Sequence, residues 1–248
     1  LRDWAFYERT VIKDVVLNAN LKTIGASAFE KTSFQSDLVI PANVESIGKA
    51  AFYQTGIRTL SFAAGSKVKS LSDSAFYQCK SLKTVTLPGS LESIGNSVFE
   101  GCTALSGNVN FPTALESIGA KAFFQCSQLE AVNFAADGAL RVINNNAFAQ
   151  CDKLVKITIP ASLETLDYGA FYSCDHLATL VFAENSNLKT IGSEAFRDCI
   201  IENNLILPDT VETVGNGAFA SQQFRRVIIG EDSQLTTIGR DAFWYCEK

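Results

Sequence analysis

Residues 115–126, LESIGAKAFFQC, contain the pattern that decides the fold, because variants of it recur along the whole chain. The marker of each copy is a phenylalanine, which follows alanine in every copy except Val98-Phe99. Successive copies of this phenylalanine are 23 to 25 residues apart. They are Phe6, Phe29, Phe52, Phe76, Phe99, Phe123, Phe148, Phe171, Phe196, Phe219 and Phe243. A fixed period of this length predicts a repeat architecture rather than an ordinary globular fold.

Two further features recur in most units. The motif L-x-x-I-G-x-x-A-F leads to a cysteine three residues after the phenylalanine, and all seven cysteines of the chain stand at that position. An alternating stretch follows, as in Leu82-x-x-Val85-x-Leu87-Pro88. Alternation of apolar and polar residues predicts a strand, and the proline ends it because proline cannot donate to a ladder.

A unit of this size cannot bury a core alone, so it must stack on its neighbours. We therefore predict a β-dominated α/β fold: a solenoid of about ten to eleven coils of 23–25 residues. Its expected parts are parallel strands, a turn glycine with positive φ and one short helical turn at x-x-A-F-x-x-C. No linker interrupts the series, so residues 1–248 form one predicted domain. The series starts within a unit, so we expect the natural protein to continue beyond at least one end.

A column of charges predicts the register of the stack. The residue after the first Leu or Val of each motif tends to alternate in sign from unit to unit, which relieves repulsion between stacked neighbours. The series is Lys22, Glu45, Lys69, Glu92, Glu116, Arg141, Glu164, Lys189, Glu212 and Thr236. It indicates a super-repeat of two units.

Composition excludes several classes of function. The formal net charge is −5, so the chain lacks the basic excess that nucleic-acid binding requires. It has no apolar run long enough to cross a membrane, so no membrane insertion is expected. The single histidine leaves little material for metal sites or catalytic triads, and no cofactor or metal is expected.

The unit L-x-x-I-G-x-x-A-F-x-x-C-x-x-L-x-x-V-x-L-P resembles the leucine-rich repeat of BspA-like and treponemal surface proteins, over essentially the whole chain. This resemblance implies a leucine-rich repeat solenoid on a secreted or cell-surface protein. It also implies adhesion to a protein partner, of the host matrix or a neighbouring cell surface, or to a glycan. The family motif carries no catalytic residues, so an enzyme is not expected.

The cysteines are interpreted as a column of buried thiols that act as small hydrophobes. Their spacing is the repeat period and no C-x-x-C occurs, which argues against zinc. Disulfides between stacked coils are the alternative, but parallel side chains bridge poorly and the count of seven is odd. Cys174, Asp175 and His176 are adjacent in sequence, yet the repeat directs Cys174 inward, so catalysis by this group is not expected.

The first candidate binding surface is the outer face of the alternating strands near the C-terminal end. An apolar strip edged by basic residues is typical of a protein-contact patch. Its members are Val181, Ile206, Ile228, Arg225, Arg226 and Lys156. The competing interpretation is that β-branched residues simply favour strands.

The second candidate is an aromatic stripe directly after the repeat phenylalanine. Rings that point outward could contact protein or glycan. The competing interpretation is that they lie flat over the turns. The residues are Tyr53, Tyr77, Phe124, Tyr172 and Trp244.

The leading functional hypothesis is a non-enzymatic extracellular interaction module that uses the solenoid face. The alternative is a rigid structural stalk that presents another domain.

Overall fold

Each coil contributes two short strands, which stack on the matching strands of neighbouring coils. The computed structural model of the protein describes residues 1–246. The strands at the L-x-x-I motif are β1 (Thr23–Ile24), β3 (Ser46–Ile47), β5 (Ser70–Leu71), β7 (Ser93–Ile94), β9 (Ser117–Ile118), β11 (Val142–Ile143), β13 (Thr165–Leu166), β15 (Thr190–Ile191), β17 (Thr213–Val214) and β19 (Thr237–Ile238). The strands at the alternating motif are β2 (Leu38–Ile40), β4 (Thr59–Phe62), β6 (Thr84–Val85), β8 (Gly107–Asn110), β10 (Leu129–Asn133), β12 (Lys156–Ile159), β14 (Thr179–Phe182), β16 (Leu205–Ile206) and β18 (Val227–Ile228).

All pairings among these strands are parallel, and each joins one coil to the next. The odd-numbered strands β5 to β19 form one sheet of eight strands along one side of the solenoid. The even-numbered strands form four shorter sheets on another side: β2-β4-β6, β8-β10, β12-β14 and β16-β18. The predicted parallel solenoid is confirmed.

The number of complete coils is about nine, fewer than the ten to eleven predicted. Nine coils contain both an odd-numbered and an even-numbered strand, and β19 belongs to a tenth that shows only its first strand. The sequence count included the partial units around Phe6 and Phe243.

The predicted helical turn is wrong, because the residues described contain no helix. A run of β-turns takes its place: the Ala51 N–H donates to the Gly48 carbonyl at 3.2 Å across a turn. The third residue of that turn, Ala50, has a φ of 55°, as a type II turn requires. Positive φ recurs two residues after the phenylalanine, for example at Gln54, φ 53°. Left-handed residues interrupt any helix, so the fold is all-β rather than α/β.

Backbone hydrogen bonds between coils replace those that a helix would form. Alternate N–H groups of the turn region donate to the following coil, as from Phe52 to the Ala75 carbonyl at 2.8 Å and from Gln54 to the Tyr77 carbonyl at 2.8 Å. The intervening N–H groups close the local β-turns. The turn region therefore joins neighbouring coils as continuously as the strands do.

A stack of phenylalanine rings forms the centre of the core. The eleven repeat phenylalanines, from Phe6 to Phe243, follow one another with ring centroids 5.1 to 5.7 Å apart. Phe148 and Phe171, for example, are inclined by only 6°. Both rings are fully buried. The inward assignment of this column is confirmed.

The charge column is largely exposed and forms two ion pairs between neighbouring coils. Lys69 Nζ lies 2.8 Å from Glu92 Oε1, and Arg141 Nη1 lies 3.8 Å from Glu164 Oε1. Exposed ion pairs contribute only about 0–1 kcal/mol, so this column affects register more than stability.

Candidate interaction surfaces

The outer face of the last even-numbered strands forms an apolar groove. Val181 on β14, Ile206 on β16 and Ile228 on β18 line it, with exposed fractions of 38%, 60% and 40%. The groove has a volume of about 600 Å³. The structure therefore brings together the three apolar residues that the sequence placed on the strand face, and we call this the strand-face groove.

The groove opens where the sheet is interrupted. Strands β14 and β16 belong to different sheets, although they are in consecutive coils. Between them the Asn203 side chain takes the place of a ladder partner: its Nδ2 donates to the Leu180 carbonyl at 2.8 Å, and its Oδ1 accepts from the Leu180 N–H at 3.1 Å. Asn203 and Asn204 line the groove at this break. The irregular sequence after Cys199 is the local cause of the opening.

Charged residues lie in the groove and precede one of its strands in sequence. Arg225 and Arg226 are exposed just before β18, while Glu184 and Asp209 line the groove beyond the carboxyl ends of the strands. Lys156 is exposed on β12, one coil before Val181, and does not line the groove. Three of the six residues predicted for this face thus line the groove, while Arg225, Arg226 and Lys156 do not.

The aromatic stripe is not continuous. Tyr53 and Tyr77 are half-buried and stacked, with ring centroids 4.8 Å apart. Phe124 and Tyr172 are half-buried too, but one coil with a different residue separates Phe124 from Tyr172, and two such coils separate Tyr172 from Trp244. Trp244, in the last turn, is 57% exposed. Burial raises the pKa of the Tyr77 hydroxyl, in keeping with rings that lie against the turns.

A polar groove, which the sequence interpretation missed, lies on the side of the turns. It crosses four successive coils in the middle of the chain and has a volume of about 530 Å³. Its lining residues are Thr103, Gln125, Ser127, Gln150, Asp152, Ser173 and Asp175. A signal for it was present: in these coils the position four residues after the repeat phenylalanine holds a hydroxyl or a carboxylate, and the position two residues after it holds an amide or a hydroxyl in every coil but that of Gly101.

The neighbouring Cys174, Asp175 and His176 do not converge. The Cys174 thiol is buried and donates to the Phe148 carbonyl of the preceding coil at 3.2 Å, whereas Asp175 and His176 are exposed. The inward direction predicted for Cys174 is confirmed. Across residues 1–246, the structure has no helix that is long and apolar enough to cross a membrane.

Comparison with known proteins agrees with this architecture. The BspA type leucine-rich repeat region model matches residues 1–130 and 130–248, in six copies. No curated protein matches the chain.

Two solved structures have a similar fold. A leucine-rich repeat protein from Bacteroides ovatus is 25% identical, with a TM-score of 0.63 over 96% of this chain and 65% of that one. A leucine rich cell surface protein from Faecalibacterium prausnitzii is 22% identical, with a TM-score of 0.63 over 95% of this chain and 72% of that one. The chain thus spans just under two thirds of the first structure. Because the family model matches along essentially the whole chain, the protein belongs to the BspA-type leucine-rich repeat family.

Proposed function

We propose that the protein is a non-enzymatic, extracellular interaction module that binds a protein partner through the strand-face groove. The observation that carries the proposal is the convergence of Val181, Ile206 and Ile228, which remain 38–60% exposed in one groove. Clustered apolar side chains on an open surface lose contact with water when a partner covers them, which favours association. Leucine-rich repeat domains generally mediate such protein interactions.

The apolar centre of the groove and the nearby charges indicate what kind of partner would bind. The apolar centre suits apolar side chains of a protein better than a glycan, whose surface is rich in hydroxyl groups. Arg225 and Arg226, exposed directly before β18, favour a partner that carries an acidic residue, since complementary charge speeds association and selects the partner. A place on the cell surface, as in the Faecalibacterium protein of similar fold, would bring the groove to host matrix or neighbouring cells.

The non-enzymatic part of the proposal rests on the cysteines. Six of the seven thiols are buried, and burial raises the pKa of Cys79 to about 11, so this thiol stays neutral and unreactive near neutral pH. A broad hydrolase screen that found an activity lost in Cys174→Ser would contradict this part of the proposal.

The binding test uses Ile206→Glu with Ile228→Glu. We expect at least a tenfold loss of binding to immobilised host-matrix proteins and to neighbouring microbial surfaces, because two carboxylates would have to be buried in the interface. The matched control is Val39→Glu, at the same repeat position on β2 and 53% exposed, which should bind like the unaltered protein.

The alternative function, a rigid stalk, predicts a different result. It draws support from the unbroken phenylalanine stack, which joins the coils from Phe6 to Phe243. If the double variant adheres as strongly as the unaltered protein, the groove is not the binding surface and the stalk is favoured.

A further inference from the structure

The polar groove differs from the rest of the turn surface in its composition. All seven side chains that line it carry hydroxyl, amide or carboxylate groups. In other coils the position four residues after the phenylalanine is more varied: it holds Thr10, Ser33 and Gln223, but also Gly56, Lys80 and Ile200. The central coils differ in that four successive units hold a hydroxyl or a carboxylate there, so the continuous polar lining is a feature of those coils.

A glycine interrupts the column of glutamine side chains two residues after the repeat phenylalanine. On either side of it the glutamines form hydrogen-bonded pairs, Gln54 with Gln78 and Gln125 with Gln150. Gly101 occupies the position at which Gln78 and Gln125 stand in the flanking coils, and it has a φ of 71°. A side chain there would begin 3.0 Å from Gln78 Cγ, so its absence leaves room beside the groove. Thr103 lines the groove in this same coil.

The amides of the groove are oriented by each other. Gln125 Nε2 donates to Gln150 Oε1 at 3.0 Å. This contact uses one donor and one acceptor, which leaves Gln125 Oε1 to accept and Gln150 Nε2 to donate to a ligand. Together with the hydroxyls of Ser127 and Ser173, they form a closely spaced set of donors and acceptors fixed on a rigid frame.

The charge of the groove selects the class of ligand. Asp152 and Asp175 supply acceptors, and no cationic side chain lines the groove. Burial, followed by the nearby Asp175 carboxylate, raises the pKa of Asp152, while Lys153 and His176 beside it act in the opposite direction. An anionic ligand would meet two carboxylates, and an apolar ligand would find no apolar lining.

We infer that the polar groove binds a neutral oligosaccharide. Sugar hydroxyls donate to carboxylates and exchange hydrogen bonds with amides and hydroxyls, so they match this lining. Neighbouring coils are about 4.8 Å apart, so equivalent side chains recur at a spacing that successive contacts along a glycan chain can use.

The test measures binding of neutral oligosaccharides of glucose, mannose and N-acetylglucosamine by calorimetric titration, with hyaluronan oligosaccharides as the anionic comparison. At least one neutral series should bind and hyaluronan should not. Asp152→Ala with Asp175→Ala should weaken binding at least tenfold. The control is Ser33→Ala with Lys80→Ala, both at the same repeat position in coils outside the groove, where affinity should not change.

Two results would overturn the inference: no binding to any neutral series at millimolar concentration, or equal binding by the aspartate variant. If Ca²⁺ alone bound, and bound only with both aspartates present, the groove would be a cation site and the inference would be wrong. The inference is independent of the strand-face groove, because Ile206→Glu with Ile228→Glu should retain sugar binding.

Discussion

At the scale of the residue, each cysteine thiol is both a space-filling group and a hydrogen-bond donor. Cys126 Sγ donates to the Phe99 carbonyl of the preceding coil at 3.2 Å, and every other cysteine makes the equivalent contact. Near the C-terminal end, one unit has Gln222 in place of this cysteine. Gln222 Nε2 donates to the Phe196 carbonyl at 2.6 Å. The Phe99 carbonyl also accepts the Cys102 N–H at 3.1 Å, so the Cys126 thiol supplies a second hydrogen bond to a buried oxygen that has two lone pairs.

The first prediction concerns the reactivity of these thiols. At pH 8 in the folded protein we expect a thiol reagent to modify at most Cys246, the one partly exposed cysteine, since the other six are buried. In denaturant without reductant, all seven should react. Colorimetric thiol titration checks both numbers, and a count below seven in denaturant would reveal a disulfide.

Burial of the cysteines could be predicted from their spacing alone, but their hydrogen bonds could not. The Phe99 carbonyl that Cys126 contacts belongs to the preceding coil, 27 residues back along the chain. Its direction depends on the left-handed residues of the turn. Serine, lysine and glutamine hold such positions here, as at Ser74 and Lys121, although these types seldom adopt positive φ.

At the scale of the element, the turn glycine allows close contact rather than unusual dihedral angles. The predicted positive φ is wrong for Gly119, whose φ lies outside the left-handed region. A Cβ added there would lie 2.5 Å from the Gly95 carbonyl carbon, and one added at Gly48 would lie 2.5 Å from the Ala26 nitrogen. Glycine is thus present because the backbones of stacked coils approach too closely for a side chain.

The second prediction tests this role. Gly119→Ala should lower the free energy of unfolding by about 1–3 kcal/mol, because the backbone of Gly95 must move to make room for the methyl group. Gly89→Ala is the matched control: a Cβ there meets nothing within 4 Å and its φ is not positive. It should change stability by less than about 1 kcal/mol, toward greater stability. Equal destabilisation by both substitutions, measured by urea denaturation, would contradict the close-contact role.

The two strands of each coil could be predicted from the sequence, because a period of two and β-branched residues determine which side chains face inward. The turn was misread because a short A-F-x-x-C segment carries no signal that separates a helical turn from successive β-turns. Whether the segment forms a helical turn or successive β-turns depends on whether its N–H groups bond within the coil or to the next coil. That choice depends on the neighbouring coil, which the segment's own sequence does not show.

At the scale of the whole molecule, stability is distributed along one stack of aromatic rings. Phe148 packs between Phe123 and Phe171 at centroid distances of 5.2 Å on both sides, and Phe111 meets its edge at 6.1 Å. A residue in the middle of the stack therefore contributes to three coils at once.

The third prediction follows from this position. Phe148→Ala should lower the free energy of unfolding by about 3–5 kcal/mol, because it opens a cavity that rigid neighbours cannot close. Tyr172→Ala, a half-buried aromatic residue on the turn surface, should cost clearly less. Thermal and chemical denaturation provide the measurement, and a loss below 1 kcal/mol at Phe148 would contradict the stacked core.

The candidate surfaces were only partly accessible from sequence. Alternation placed Val181, Ile206 and Ile228 on the outer face, but the groove between them depends on the break in the sheet at Asn203. The polar groove was missed because its residues come from four coils and look, one at a time, like ordinary solvent-exposed positions.

The hydrogen bonds that join one coil to the next also determine how the molecule responds to a mechanical load. They run along the solenoid axis, as between Phe52 and Ala75 at 2.8 Å, so tension applied at the two ends pulls directly on them. Coils then detach one after another from an end, and each released coil of about 24 residues supplies up to roughly 80 Å of extended chain. A solenoid built this way yields in steps and dissipates force, while the coils that remain stacked keep their surfaces intact.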